Sequence, residues 1–120
     1  MKVLIVENNP NLSWLWKRHI ERLGKKVDVA ETVEDAMDRL RRAHFDVMLV
    51  DLILPDGSAI GLADYARVTS PETNVVFVTD TTFFSDGSLF AFSGNARALV
   101  KAGSAPEDVA AIVTHYGEHG

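Results

Sequence analysis

The stretch Phe45-Asp46-Val47-Met48-Leu49-Val50 is apolar at five of its six positions and ends on an acid, Asp51. Continuous apolar strands of this kind belong to parallel sheets covered by helices, because neither face of the strand meets water. Parallel strands in turn need a long crossover between them, normally a helix. The rest of the chain supplies that alternation. The run Val3-Leu4-Ile5-Val6 breaks at Glu7-Asn8-Asn9-Pro10, a turn cluster in which Pro10 suits a first helical position and Asn9 its cap. Residues 11–23 place Leu12, Trp16, His19 or Ile20, and Leu23 at helical spacing, with Gly24 as the stop. Trp14 falls on the opposite side of that helix and is expected to be exposed.

Residues 25–30 read as a second strand carrying Val27 and Val29. Thr32 then caps a helix with Val33, Ala36, Met37 and Leu40 on one face. Pro55-Asp56-Gly57 forms a turn ahead of a helix over 58–67, and Ser70-Pro71-Glu72-Thr73 a loop ahead of a strand at 75–78. A short helix is expected within 85–92, its length limited by Gly87 and Gly94. A fifth strand at 97–100 and a last helix over 106–116, closed by Gly117, complete the pattern. Five strands alternating with five helices imply right-handed crossovers and a doubly wound α/β sheet.

At 120 residues and 13.2 kDa the expectation is one domain, 1–120. Seventeen acidic against twelve basic side chains give a net charge of −5, which argues against nucleic-acid binding and against anionic membrane surfaces. The absence of cysteine excludes disulfides and thiolate metal sites. Glu7 interrupts the opening run after four apolar residues, unlike a signal peptide, and no apolar run approaches the ~18 residues of a membrane span. A cytoplasmic protein is the expectation.

In doubly wound sheets ligands sit beyond the carboxyl ends of the strands. There the sequence offers Glu7 and Asn8 after the first strand, Asp51 after the third, Thr79 after the fourth and Lys101 after the fifth. Two carboxylates, a carboxamide, a hydroxyl and an ammonium suit a hard cation plus a phosphoryl group: oxygen donors hold Mg²⁺, an aspartate can form an acyl phosphate, and a hydroxyl and a lysine hold phosphoryl oxygens. Singly, each has an ordinary explanation as a solvated loop acid, a helix cap or a surface lysine. Their coincidence at the strand ends is what points to a site. Asp28, Glu34, Asp38, Arg41 and Arg42 read instead as a solvated face. His115 and His119 are four apart, but the intervening Gly117 and the nearby chain end point to a frayed tail rather than a metal pair.

On these residues the chain resembles a receiver domain of two-component response regulators over nearly its whole length. Asp46-Val47-Met48-Leu49-Val50-Asp51-Leu52-Ile53-Leu54-Pro55-Asp56-Gly57 is similar to that family's phosphoacceptor segment, and Val3-Leu4-Ile5-Val6-Glu7-Asn8-Asn9-Pro10 to its acidic-pair segment. Thr79 precedes Lys101 by 22 residues, as the family's switch hydroxyl precedes its lysine. The resemblance implies a flavodoxin-like sheet of order 2-1-3-4-5 in a signalling module that is not an enzyme. It implies Asp51 as phosphoacceptor, Mg²⁺ held by Glu7, Asn8, Asp51 and the backbone carbonyl of Ile53, and Thr79 and Lys101 on the phosphoryl group. The donor would be a histidine kinase or phosphotransfer protein. Output would pass through a partner, a homodimer or an effector docked on the face of the fourth helix, fifth strand and fifth helix. A stand-alone receiver is the expectation.

Several positions depart from the family pattern. Asn8 stands where a metal-binding aspartate is usual, which should weaken Mg²⁺. Asp80 follows Thr79 in place of a small residue and would either repel the donor or partly replace the missing charge. Ala98 occupies the usual aromatic reporter position, and Ala102 the usual proline after Lys101. Phe83, Phe84, Phe90 and Phe92 crowd the segment after the fourth strand, as core or as an apolar partner surface. Glu7, Asp51, Asp56 and Asp80 are expected near one rim. The alternative function is a degenerate receiver that binds a partner independently of phosphorylation. An aspartate-based phosphatase would need a second acid where Ile53 stands, and a dinucleotide binder would need a Gly-rich loop after the first strand.

Overall fold

The structure, a computed structural model, describes residues 1–79 and 95–119. In chain order the elements are β1 (Lys2–Val6), α1 (Pro10–Glu21), β2 (Lys26–Ala30), α2 (Val33–Arg42), β3 (Val47–Asp51), β4 (Ile53–Leu54), β5 (Gly57–Ser58), α3 (Ala59–Thr69), β6 (Asn74–Thr79), β7 (Ala96–Lys101) and α4 (Pro106–His119). Five strands form one parallel sheet in the order β2-β1-β3-β6-β7. This is the expected 2-1-3-4-5 order, with β6 and β7 as its fourth and fifth strands. Four helices lie among the described residues. The helix expected within 85–92, together with Asp80, Phe83, Phe84, Phe90 and Phe92, falls outside them.

The continuous apolar runs do what their composition demands. Val3 to Val6 and Val47 to Val50 are fully buried, and alternate residues feed two cores, one on each face of the sheet. Leu4, Val6, Met48, Val50, Val75 and Phe77 pack against α2 and α3. Val3, Ile5, Val47, Leu49, Val76 and Val78 pack against Trp16 and Ile20 of α1 and Val109, Ala110 and Val113 of α4. All four described helices therefore cover the faces of the sheet.

Helix boundaries follow their caps. Asn9 accepts the Asn11 amide ahead of Pro10, and Thr32 accepts that of Asp35 at 3.1 Å. Ser58, expected as a helical residue, is the cap of α3 and accepts the Gly61 amide at 3.0 Å. At its other end α1 stops at Glu21, and Gly24 takes a left-handed φ of 81°, which only glycine adopts without strain. Leu23 thus lies in the exit turn, exposed, and not on the buried helical face expected for it.

The last helix corrects the reading of Gly117 as its stop. α4 runs to His119, and a Cβ on Gly117 would sit 2.6 Å from Met1 Sδ and 3.2 Å from Val47 Cγ1. The glycine lets α4 pass close to Met1 and to Val47 at the start of the central strand β3, both of which would have to shift for a Cβ. As far as Glu118 this end is tied down: Asn74 Nδ2 donates to the Tyr116 carbonyl at 2.9 Å, and Lys25 pairs with Glu118 at 2.8 Å.

Candidate functional site

Strand register decides which side chains meet at the carboxyl ends of the strands. Val6 of β1 pairs with Val50 of β3, so Glu7 stands level with Asp51. Asp51 pairs with Val78 of β6, so Thr79 lies one residue farther out, directly paired with Lys101 of β7. Hydrogen bonds carry the ladder past the strands: Glu7 N donates to Ala30 O at 3.0 Å, Leu52 N to Val78 O at 2.9 Å, and Ala102 N to Thr79 O at 2.8 Å. Four of the expected residues are thereby brought to one rim across β1, β3, β6 and β7.

Their environments differ. Glu7 and Thr79 are each only 2% exposed, Asp51 is half-buried, and Asn8 and Lys101 are exposed. Glu7 Oε1 accepts the Asn9 amide at 3.2 Å, which turns the carboxylate back over the start of α1. Asp51 Oδ1 accepts the Ile53 amide at 2.9 Å. β3 and β7 are two strands apart, roughly 10 Å between backbones, and among the described residues no ion pair joins Asp51 to Lys101.

Asp56, expected near the rim, has its carboxylate taken up by the start of α2, which follows the same end of β2. Its Oδ1 accepts the Val33 amide at 2.8 Å and its Oδ2 the Glu34 amide at 3.2 Å. These amides belong to the first turn of α2, and their hydrogen bonds hold the Asp56 carboxyl below its ordinary value of 3.8. This engagement is non-local, 23 and 22 residues apart in sequence, and no local pattern announces it.

The side-chain donors at the rim are all oxygen: the Glu7 and Asp51 carboxylates and the Asn8 carboxamide. They fit Mg²⁺, which takes one or two carboxylates and keeps several waters. Among the described residues no group of three or more His, Cys, Asp or Glu side chains is arranged to hold a metal ion. A cavity of about 340 Å³ lies on another face, lined by Asp28, Asp35, Asp38, Arg39, Arg42 and Phe45. Its charges answer one another, Arg39 pairing with Asp35 at 3.2 Å and Arg42 with Asp38 at 3.3 Å. The solvated face expected there is such a lattice of ion pairs.

Residues 3–113 match the response regulator receiver domain family. The chain belongs to that family. Among relatives, the response regulator protein PilR of Pseudomonas aeruginosa is 35% identical over 78 residues, which cover 65% of this chain and 18% of PilR. The transcriptional regulatory protein DltR of Streptococcus agalactiae is 25% identical over 79 residues, 66% of this chain and 35% of DltR. The chain thus spans a minor part of the relatives it matches. Among solved structures, a two-component response regulator from Clostridium difficile has a TM-score of 0.88 at 20% identity, over 99% of this chain and 97% of that one. TrrA of Thermotoga maritima, solved in complex with Mg²⁺–BeF, has a TM-score of 0.82 at 18% identity, over 96% of this chain and 97% of that one. These likenesses show the receiver fold, and the chain is a signalling module of two-component systems. Among the described residues no helix is long and apolar enough to cross a membrane.

Proposed function

We propose that this receiver takes a phosphoryl group on Asp51 with the help of Mg²⁺ and signals through protein contacts. The observation that carries this reading is the register, with Asp51 level with Glu7 and flanked across β6 by the Thr79–Lys101 pair. An Asp51 carboxylate oxygen attacks phosphorus, the bond from phosphorus to the donor nitrogen or oxygen breaks, and the leaving group takes the electron pair and a proton. Glu7, Asn8, Asp51 and the Ile53 carbonyl would hold Mg²⁺, whose charge offsets that of the incoming phosphoryl oxygens. The Thr79 hydroxyl donates to one phosphoryl oxygen, and the exposed Lys101 ammonium crosses the gap to pair with another.

The group adds roughly −1.5 to −2 charge at pH 7, a change that a bistable surface can read. The donor in this reading is a histidine kinase or phosphotransfer protein in the cytoplasm, and the output a protein partner, a second copy or an effector on the face that includes β7 and α4. Incubation with acetyl phosphate and Mg²⁺ adds one phosphoryl mass, which Asp51→Asn abolishes. No adduct, even with a cognate kinase, overturns the proposal.

The exposed Asn8 favours a second reading, a degenerate receiver that binds its partner without phosphorylation. There Mg²⁺ shows no saturable binding in the millimolar range, and the partner binds Asp51→Asn as well as the wild-type chain. A phosphorylation-dependent change in partner affinity overturns it.

A further inference from the structure

The main-chain carbonyl of Ile53 has no packing of its own to aim it, since the Ile53 side chain is 66% exposed. It sits in the β4–β5 hairpin, which has only two residue pairs, Ile53 with Ser58 and Leu54 with Gly57. Isolated hairpins are marginal even when longer. The turn itself does not help. Pro55 and Asp56 are its two central residues, and no described non-glycine residue has a positive φ. The turn is therefore not of the primed types whose twist suits a two-residue hairpin, and the unprimed types splay the strands. The hairpin has to be held from outside.

We propose that Asp56 is the positioning residue that holds it, clamping the hairpin tip to the first turn of α2 so that the Ile53 carbonyl stays beside Asp51. This rests on the phosphoacceptor reading of Asp51. The Asp56 carboxylate spans two successive amides of α2, Val33 at 2.8 Å and Glu34 at 3.2 Å. Thr32 takes the third, that of Asp35, so Asp56 supplies what the local cap leaves open. Charge-assisted bonds to the positive end of a helix are among the stronger exposed contacts.

Packing follows the same line. The Val33 side-chain carbons lie 3.5–3.8 Å from where a Cβ on Gly57 would stand, and Val33 itself rests on the α2–α3 core. At the other end of the loop, Leu52 N is fixed to Val78 O and Ile53 N to Asp51 Oδ1. Leu52 and Leu54, on either side of Ile53, also pack on the α2–α3 core, so the loop is held by the sheet, by that packing and, at its tip, by the Asp56 bonds to α2. Releasing the Asp56 bonds loosens the hairpin tip, and with it the aim of the Ile53 carbonyl, while leaving the sheet intact.

The test compares the wild-type chain with Asp56→Ala and Val33→Pro. Proline is accepted at a first helical position, and Thr32 already has the extended conformation that a residue before proline needs (φ −136°, ψ 162°). Val33→Pro therefore removes, from the helix side, one clamped amide and the Val33 side chain that packs on Gly57. Without Mg²⁺, amide exchange at Ile53 should quicken at least tenfold in both variants while Val47 to Val50 exchange as in the wild type. In acetyl phosphate labelling, the Mg²⁺ concentration for half-maximal rate should rise roughly tenfold, as for loss of other outer-shell partners, with the rate at saturating Mg²⁺ kept. Unchanged exchange at Ile53 together with an unchanged Mg²⁺ dependence overturns the proposal. Should the wild-type chain take no label, the phosphoacceptor reading fails, and the exchange comparison alone decides whether Asp56 holds the loop.

Discussion

Ala102 donates its amide to the Thr79 carbonyl at 2.8 Å, a bond that proline at position 102 could not make. It extends the β6–β7 ladder one step beyond the Thr79–Lys101 pair and pins the last carbonyl of β6 from the β7 side. With Ala98 in the place of an aromatic reporter and packed against the α1–α4 core, the rim on this side is built differently from the usual family pattern.

Ala102→Pro removes that donor and leaves the carbonyl of the buried Thr79 one partner short. The cost expected for a buried acceptor losing its partner is about 1–3 kcal/mol. Urea denaturation should show a lower midpoint with an unchanged slope, since the surface exposed on unfolding stays the same. A midpoint equal to the wild type would mean that the ladder does not depend on this bond.

The two tryptophans of α1 should respond in opposite ways. Trp16 is 1% exposed and lies in the α1–α4 core, while Trp14 is 57% exposed with Arg18 over its ring at 5.2 Å. Trp16→Ala should cost about 3–5 kcal/mol through lost burial and the cavity left behind. Trp14→Ala loses only an exposed cation–π contact and should cost less than about 1 kcal/mol. Thermal unfolding of the two variants checks the order, and acrylamide should quench the fluorescence of Trp16→Ala more readily than that of Trp14→Ala.

The parts legible in the sequence are those set by neighbours along the chain. Val47 to Val50 announced a strand covered on both faces, Asn9-Pro10 and Thr32 announced helix starts, and Gly24 an exit. The rim residues were readable because a parallel sheet puts every strand end on the same side. What stayed hidden depends on contacts between distant segments. Gly117 looks like a stop signal, and only its approach to Met1 shows that it lets α4 pass. Asp56 looks like one more rim acid, and only the α2 amides 22 and 23 residues away show what its carboxylate holds.

Asp56 also leaves a mark on the pH dependence of stability. Hydrogen bonds from Val33 and then Glu34 lower its folded-state pKa from the ordinary 3.8. A depressed carboxyl pKa contributes stability that is complete above the unfolded-state value and vanishes as pH falls through the folded-state value. The stability difference between the wild-type chain and Asp56→Asn should therefore be level at neutral pH and close in the acid range below 3.8. Denaturation midpoints measured across that range check the sign. A difference that grows toward acid would show that the carboxylate is not the form these amides favour.

Asn8 offers the sharpest test of the rim as a cation site. It is exposed, follows the buried Glu7 and stands on the same rim as Asp51. Replacing its carboxamide by a carboxylate adds one negative charge beside the proposed Mg²⁺ position. At ~4 Å and an effective dielectric of ~20, one unit charge pair is worth roughly 4 kcal/mol before desolvation. Exposure of position 8 reduces that sharply through screening and hydration, and a gain of about 1.4 kcal/mol, or tenfold in affinity, is the expected remainder. Asn8→Asp should therefore bind Mg²⁺ about tenfold more tightly by calorimetry, with more of the gain at low ionic strength. An affinity unmoved by the added charge would place the cation away from β1 and remove Asn8 from the site.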